Sequence, residues 1–223
     1  TSINFSSQVE DVTNSATKWI TTNLYIFTVG FKDFISNWVL NPLETLLAFS
    51  PWYVTLAAII FLALVIGGNR VAILAAVLLS LIVFSGLWHE AMITLTQTIV
   101  ATLMTMTIGI ALGILVGRNK RAEKILRPFL DAGQTLPAFV YLIPMLGLFG
   151  PTRFTAIATG IVYSIPVVVK IVGEGIRSVP ESMIEAATAA GSTVRQIITK
   201  VQLPAAKKSI LLATNQGMIF VLA

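Results

Sequence analysis

The chain has 223 residues, 56% hydrophobic and 11% charged, where soluble domains run at roughly 45–50% apolar and about 25% charged. Ten acidic residues are too few to solvate a globule of this length, so lipid must replace much of the water. The net charge of +5 reads as loop charge between apolar spans and not as a nucleic-acid surface. With no cysteine, and His89 as the single histidine, disulfides, thiolate chemistry and histidine-cluster metal sites are excluded.

Residues 1–50 are expected to form an external N-terminal segment carrying an amphipathic interfacial helix. Ile20, Leu24, Phe27, Phe31, Phe34 and Trp38 recur at spacings of three and four, with Trp19 and Trp38 at the two ends and Lys18, Lys32 and Asp33 towards water. A short soluble helix packed on the membrane domain is the alternative.

Residues 51–223 are expected to form a transmembrane domain of six apolar spans. Spans 52–66 and 71–88 flank the turn Gly67-Gly68-Asn69-Arg70 and read as a helical hairpin. Span 91–117 is the longest and exceeds the roughly 20 residues that cross a bilayer core. Within it Gly109, Gly113 and Gly117 recur every fourth residue, a spacing for close helix packing in lipid. They form no phosphate loop, because its lysine and hydroxyl signature is absent. Span 135–149 is interrupted by Pro137 and Pro144, and span 154–172 contains Pro166. Prolines inside spans leave carbonyls without donors, which is tolerated where protein or a water-filled path covers them; kinked packing is the plainer reading. The last span is 209–223. The chain starts at Thr1 without methionine and stops inside an apolar run, so it is expected to be part of a longer protein.

Loop charges orient the spans. Five basic residues lie in 118–127, and alternating sides from there puts Arg70 and the loop 173–208 on that face. Twelve basic residues then share one side, against Lys18, Lys32 and Arg153 on the other. The expectation is an external N-terminus and cytoplasmic basic loops.

Loop 173–208 carries the most information. Ser178-Val179-Pro180-Glu181 has the pattern of a capping box, starting a helix that runs through Glu185-Ala186-Ala187-Thr188-Ala189-Ala190 to a permissive Gly191. A second short helix is expected to be capped by Ser192, to carry Arg195 and Lys200, and to stop before Pro204. Small residues beside a glycine let a partner approach closely.

Glu185-Ala186-Ala187, three residues, Gly191, nine residues, Val201, one residue and Leu203-Pro204 together resemble the EAA loop of permease subunits in binding-protein-dependent ABC importers. That pattern prefers isoleucine where Val201 stands. The resemblance implies an all-α polytopic protein of the type I importer permease fold, with at least six transmembrane helices and an N-terminal amphipathic helix. It implies that the coupling loop 178–204 docks in a groove of the ATP-hydrolysing subunit, with Glu185, Ala186, Ala187, Gly191, Val201, Leu203 and Pro204 as the coupling residues. ATP and magnesium would then sit on that partner and none in this chain, which would do no covalent chemistry itself.

Arg121 to Pro128, Leu130 to Pro144, and Lys200-Val201-Gln202-Leu203-Pro204 are similar to permeases of glycine betaine/proline importers, over roughly residues 50–223. This resemblance implies import of a compatible solute such as glycine betaine, proline betaine, choline, carnitine or trimethylamine N-oxide across the cell's inner, cytoplasmic membrane, for osmoprotection. The implied partners are a second permease subunit, taken as an identical copy, two ATPase subunits, and an external binding protein, free or fused. A methylated ammonium group is met by aromatic faces, so Phe139, Tyr141 and Tyr163, with the polar Gln97, Asn215 and Gln216, are the substrate-path candidates; for each, plain helix packing is the competing reading. Rival readings are an importer of the methionine or alkylsulfonate type and an ion-coupled secondary transporter. The latter would want ionisable residues inside the spans, whereas Lys170 and Glu174 fall at a cytoplasmic end.

Overall fold

The computed structural model describes residues 25–222. The expected interfacial residues before Tyr25, among them Lys18, Trp19, Ile20 and Leu24, lie outside it. Among the described residues every regular element is helical. They fall into two compact units, Ile26–Val100 and the residues from Ala101 onward.

In the first unit, α1 (Tyr25–Ile35) runs through a π turn, Ser36–Leu40, into α2 (Asn41–Ala48). Pro42 sits in the first turn of α2, where a missing N–H costs nothing, and the Asn41 N–H reaches back five residues to the Ser36 carbonyl. Phe31, Phe34 and Trp38 are exposed while Ile35 and Leu40 are buried, so the apolar stripe is divided between two directions. Lys32 pairs with Asp33 at 3.7 Å. Helix α3 (Trp52–Phe84) covers both halves of the expected hairpin as one helical run interrupted only at Gly68, φ +74° and ψ −174°. A Cβ built on Gly67 would lie 2.7 Å from the Val71 Cβ, whereas such i,i+4 pairs stand about 5–6 Å apart on a regular helix. The chain therefore bends sharply within the expected 67–70 turn. His89, at the start of α4 (Trp88–Arg118), places Nδ1 3.4 Å from the Ala48 carbonyl and meets the Phe49 ring edge-on at 5.2 Å, tying α4 to the end of α2.

In the second unit, the later half of α4 leads into α5 (Lys120–Thr135), α6 (Ala138–Phe149) and α7 (Arg153–Arg177). Helix α5 begins where Asn119 breaks to an extended conformation and its side chain accepts from the Arg121 and Ala122 amides, covering two of the donors a helix start leaves open. It ends before Pro137, where α6 turns off at 102°. Pro144 and Pro166 do not break their spans as expected: both lie inside continuous helices. Of the three prolines only Pro137, the N-cap of α6, marks a break.

Helix α7 is the centre of the unit. Val168 and Val172 are fully buried on it, facing the glycines of α4, and Val169, equally buried, packs with Val116 and Leu130. A Cβ on Gly109 would meet Val168 Cγ1 at 2.4 Å, on Gly113 Val172 Cβ at 2.6 Å, and on Gly117 the Gly173 carbonyl at 2.7 Å. The glycine spacing is thus a packing seam, closed by a buried Thr105–Ser164 hydroxyl contact of 2.9 Å. Helix α11 (Lys207–Leu222) packs on another face of α7, with Gly217 against the second methyl of Val168 and Gly175 against Ser209.

Among the described residues three helices, α3, α4 and α7, are long and apolar enough to cross a membrane, and α5 with α6 makes a fourth if the bent pair is one span. The six apolar segments of the sequence fall on fewer elements: two share α3, and 209–223 falls on α11.

Candidate functional site

Between α7 and α11 the chain forms α8 (Glu181–Ala189), α9 (Val194–Gln196), a π turn (Ile197–Gln202) and α10 (Leu203–Ala205). The expected capping box at 178–181 is absent. Pro180 is the N-cap of α8 with no side-chain bond, and the Ser178 hydroxyl donates instead to the Gly175 carbonyl at 2.9 Å, closing α7. Proline fixes its φ near the value a helix entry needs, which leaves the serine to the preceding helix. The second cap is shifted by one residue from Ser192. Thr193 accepts from the Gln196 amide at 3.4 Å while the Gln196 side chain accepts from the Thr193 amide at 2.8 Å. Gln196 stands three residues after Thr193, whereas Ser192 has Arg195 there.

Gly191 makes the turn. At φ +78° it donates to the Thr188 carbonyl at 2.9 Å while the Ser192 amide reaches Ala187 at 3.0 Å, the paired bonds of a left-handed helix end that favours glycine. A Cβ there would meet nothing within 4 Å. Glu185, Ala186 and Gly191 are exposed, flanked by the exposed apolar Met183 and Val194.

The rest of the expected coupling set is placed differently. Val201 and Leu203 are half-buried and Pro204 is exposed; Leu203 packs against the cluster of Ile176, Ala206 and Ala213. The helix also does not stop before Pro204. The π turn precedes it, with the Leu203 amide bonded to the Ile198 carbonyl, and Pro204 sits where α10 needs no donor. Beside it Gln202, 4% exposed, accepts a hydrogen bond from the Arg118 guanidinium at the end of α4.

The aromatic candidates converge. Tyr163 lies 5.9 Å from Tyr141 and 5.3 Å from Phe220 between ring centroids, and a pocket of about 170 Å³ is lined by Phe139, Leu142, Thr159, Gly160, Tyr163 and Phe220, among others. The Tyr141 hydroxyl donates to the Gly133 carbonyl at 2.7 Å, holding α6 against α5 near their bend. Gln216 is half-buried one turn before Phe220 on α11, Asn215 is exposed, and Gln97 lies half-buried in the other unit.

Sequence reasoning missed a charged cavity of about 400 Å³ between α5 and α7. Lys170 pairs with Asp131 at 2.5 Å and bonds to Gln134, while Arg177 pairs with Glu123 at 2.9 Å and Glu174 at 3.5 Å. The only signal was the opposite charge on two segments about 40 to 55 residues apart, which does not announce a pairing.

Glycine-packed apolar helices around one buried strut, with an exposed helical turn between two of them, define an all-α polytopic membrane protein. The chain belongs to the family of binding-protein-dependent transport system inner membrane components, matched over residues 106–222, which is the type I ABC-importer permease fold. It is 35% identical to the glycine betaine/proline betaine transport system permease protein ProW of Escherichia coli (strain K12), over 92% of this chain and 58% of that protein. It is 34% identical to the trimethylamine N-oxide transport system permease protein TmoV of Ruegeria pomeroyi (strain ATCC 700808 / DSM 15171 / DSS-3), over 86% and 29%. The glycine betaine transport system permease protein OpuAB of Bacillus subtilis (strain 168) is 32% identical over 96% and 75%. The chain thus spans little more than half of the first relative and under a third of the second.

Proposed function

We propose that this chain is the permease subunit of an ATP-driven importer for a methylated ammonium solute, a glycine betaine, proline betaine, choline, carnitine or trimethylamine N-oxide. It works with a second, identical permease, two ATPase subunits that hold ATP and magnesium, and an external binding protein that delivers the solute. The segment 1–50 is external and 51–223 is the permease domain, with the loop 178–204 on the cytoplasmic face. The observation that carries this reading is the exposed turn at Gly191, which presents Met183, Glu185, Ala186 and Val194 to solvent from helices anchored by Leu203 and Gln202. A face of small and apolar residues that is left exposed among the described residues suits an ATPase groove. The relatives named for betaines and trimethylamine N-oxide support the solute class, as does an aromatic pocket that a cation without hydrogen-bond donors can enter.

Gly191→Asn tests the coupling. Asparagine tolerates the left-handed conformation and projects into open space, so the turn survives while the docking face gains a side chain. Transport and solute-stimulated ATP hydrolysis by the purified complex are expected to fall together, with membrane insertion unchanged. Wild-type rates in this variant would reduce Gly191 to a helix end and remove the coupling assignment.

A further inference from the structure

The segment 178–206 is joined by the chain itself to α7 and to α11, but to α4 only through side chains. Most of that approach is apolar. Ile110 and Ile114 of α4 share a cluster with Leu203 and Ala206, while Gly113 and Gly117 lie against Val172 and Ile176 of α7. Apolar contacts of this kind resist separation but have no preferred direction. Gln202 supplies one. It is buried at the end of the π turn and accepts from the guanidinium of Arg118, the last residue of α4. Among the described residues this is the one hydrogen bond between α4 and 178–206. A bond from a charged donor is restricted in length and angle, and a buried acceptor is costly to leave unpaired. Asn119, the next residue, caps α5, so the same point also holds the start of that helix.

We infer that Arg118, through Gln202, makes α4 move with the loop 178–204, so that a displacement of the loop is passed along α4 towards the opposite side of the membrane. The inference rests on the reading of that loop as the ATPase contact. Without the bond, the loop would still pull on α7 and α11 through the backbone, while α4 would be held by apolar contact alone. Helix α4 has 31 residues and is long enough to cross a membrane. A helix carries an axial shift over its length because each turn is hydrogen-bonded to the next. Coupling between two sites is reciprocal, so a solute-loaded binding protein would reach the ATPase by the same contact.

The double variant Arg118→Ala with Gln202→Leu separates this transmission from simple order of the loop. It leaves no buried acceptor without a donor, so 178–204 should resist protease as wild type does, and the ATPase subunits should copurify in full. In proteoliposomes holding the complete complex with its binding protein, solute uptake and solute-stimulated ATP hydrolysis are expected to fall about tenfold or more, the weight of one hydrogen bond to a charged group. Gln202→Leu alone should do the same. Wild-type uptake by the double variant would make the contact structural only and overturn the inference. Loss of the copurifying ATPase would place the defect in docking and overturn it equally. The Gly191→Asn protein keeps the two readings apart. Wild-type rates there remove the coupling role of the loop and this inference with it, whereas a failing Gly191→Asn beside a normal double variant strikes the inference alone.

Discussion

Val168 is held from two sides, and Gly109→Ala is the perturbation that measures it. The new Cβ would lie 2.4 Å from Val168 Cγ1, against a carbon–carbon optimum of about 3.5–4.0 Å. Val168 has no exposed surface, and its other methyl is already pressed towards Gly217, where a Cβ would meet it at 2.8 Å. Rotating the valine to escape one neighbour drives it into the other, so the helices must separate. Overpacking of this kind costs about 1–3 kcal/mol, and the blocked rotation places this case in the upper half. Val168→Ala removes the 2.4 Å contact and leaves the Cβ at 3.0 Å, so the double variant should recover to about the stability of Val168→Ala alone. The coupling should fall within the roughly 0.5–3 kcal/mol of contacting residues. The fraction of purified protein that stays monodisperse in detergent after heating, for wild type, both singles and the double, provides the assay. Additive losses would refute the steric argument, as would a Gly109→Ala protein as stable as wild type.

Asn69→Cys and Lys120→Cys should both react with membrane-impermeant thiol reagents from the cytoplasmic side only, and Ser7→Cys from outside only. If α3 crosses once instead of turning back at Gly68, Asn69 lies mid-bilayer and stays unlabelled. Tyr163→Leu should lower the maximal transport rate by about twofold or more, from the loss of a cation–π contact, without changing the binding protein's affinity; an unchanged rate makes Tyr163 a packing residue. Arg118→Ala leaves the buried Gln202 side chain without its donor and should cost about 1–3 kcal/mol. It is read as faster protease cleavage within 178–204, which Gln202→Leu should largely reverse; no change in cleavage would mean that the contact contributes nothing.

Periodicity and spacing made much of this chain legible. The Gly109–Gly117 repeat announced its seam because only the lack of a side chain allows an α-helix to approach a valine row that closely, and glycine at position 191 announced a left-handed turn. Pro144 and Pro166 misled because a proline removes one donor but does not by itself end a helix whose neighbours hold it. The caps moved because Pro180 sets the backbone entry to α8 and leaves Ser178 to the end of α7, and because the glutamine that completes a capping box stands three residues after Thr193 and not after Ser192. Among the candidate residues, the aromatic group was recoverable from its place on the spans. The Arg118–Gln202 contact and the α5–α7 ion pairs were not, since they join residues far apart in sequence whose partners depend on the packed angle of the helices.

The two π turns fix lengths as well as shapes. Each holds one residue more than an α turn and sits just ahead of a proline, Pro42 in one case and Pro204 in the other. Removing one residue from 197–202 would restore the α register and swing whatever follows by about 100° about the axis, carrying Leu203 out of its cluster and every side chain of α11 off α7. The linker between the exposed turn and the last helix therefore admits no change in number: its information is a count of residues as much as a choice of them.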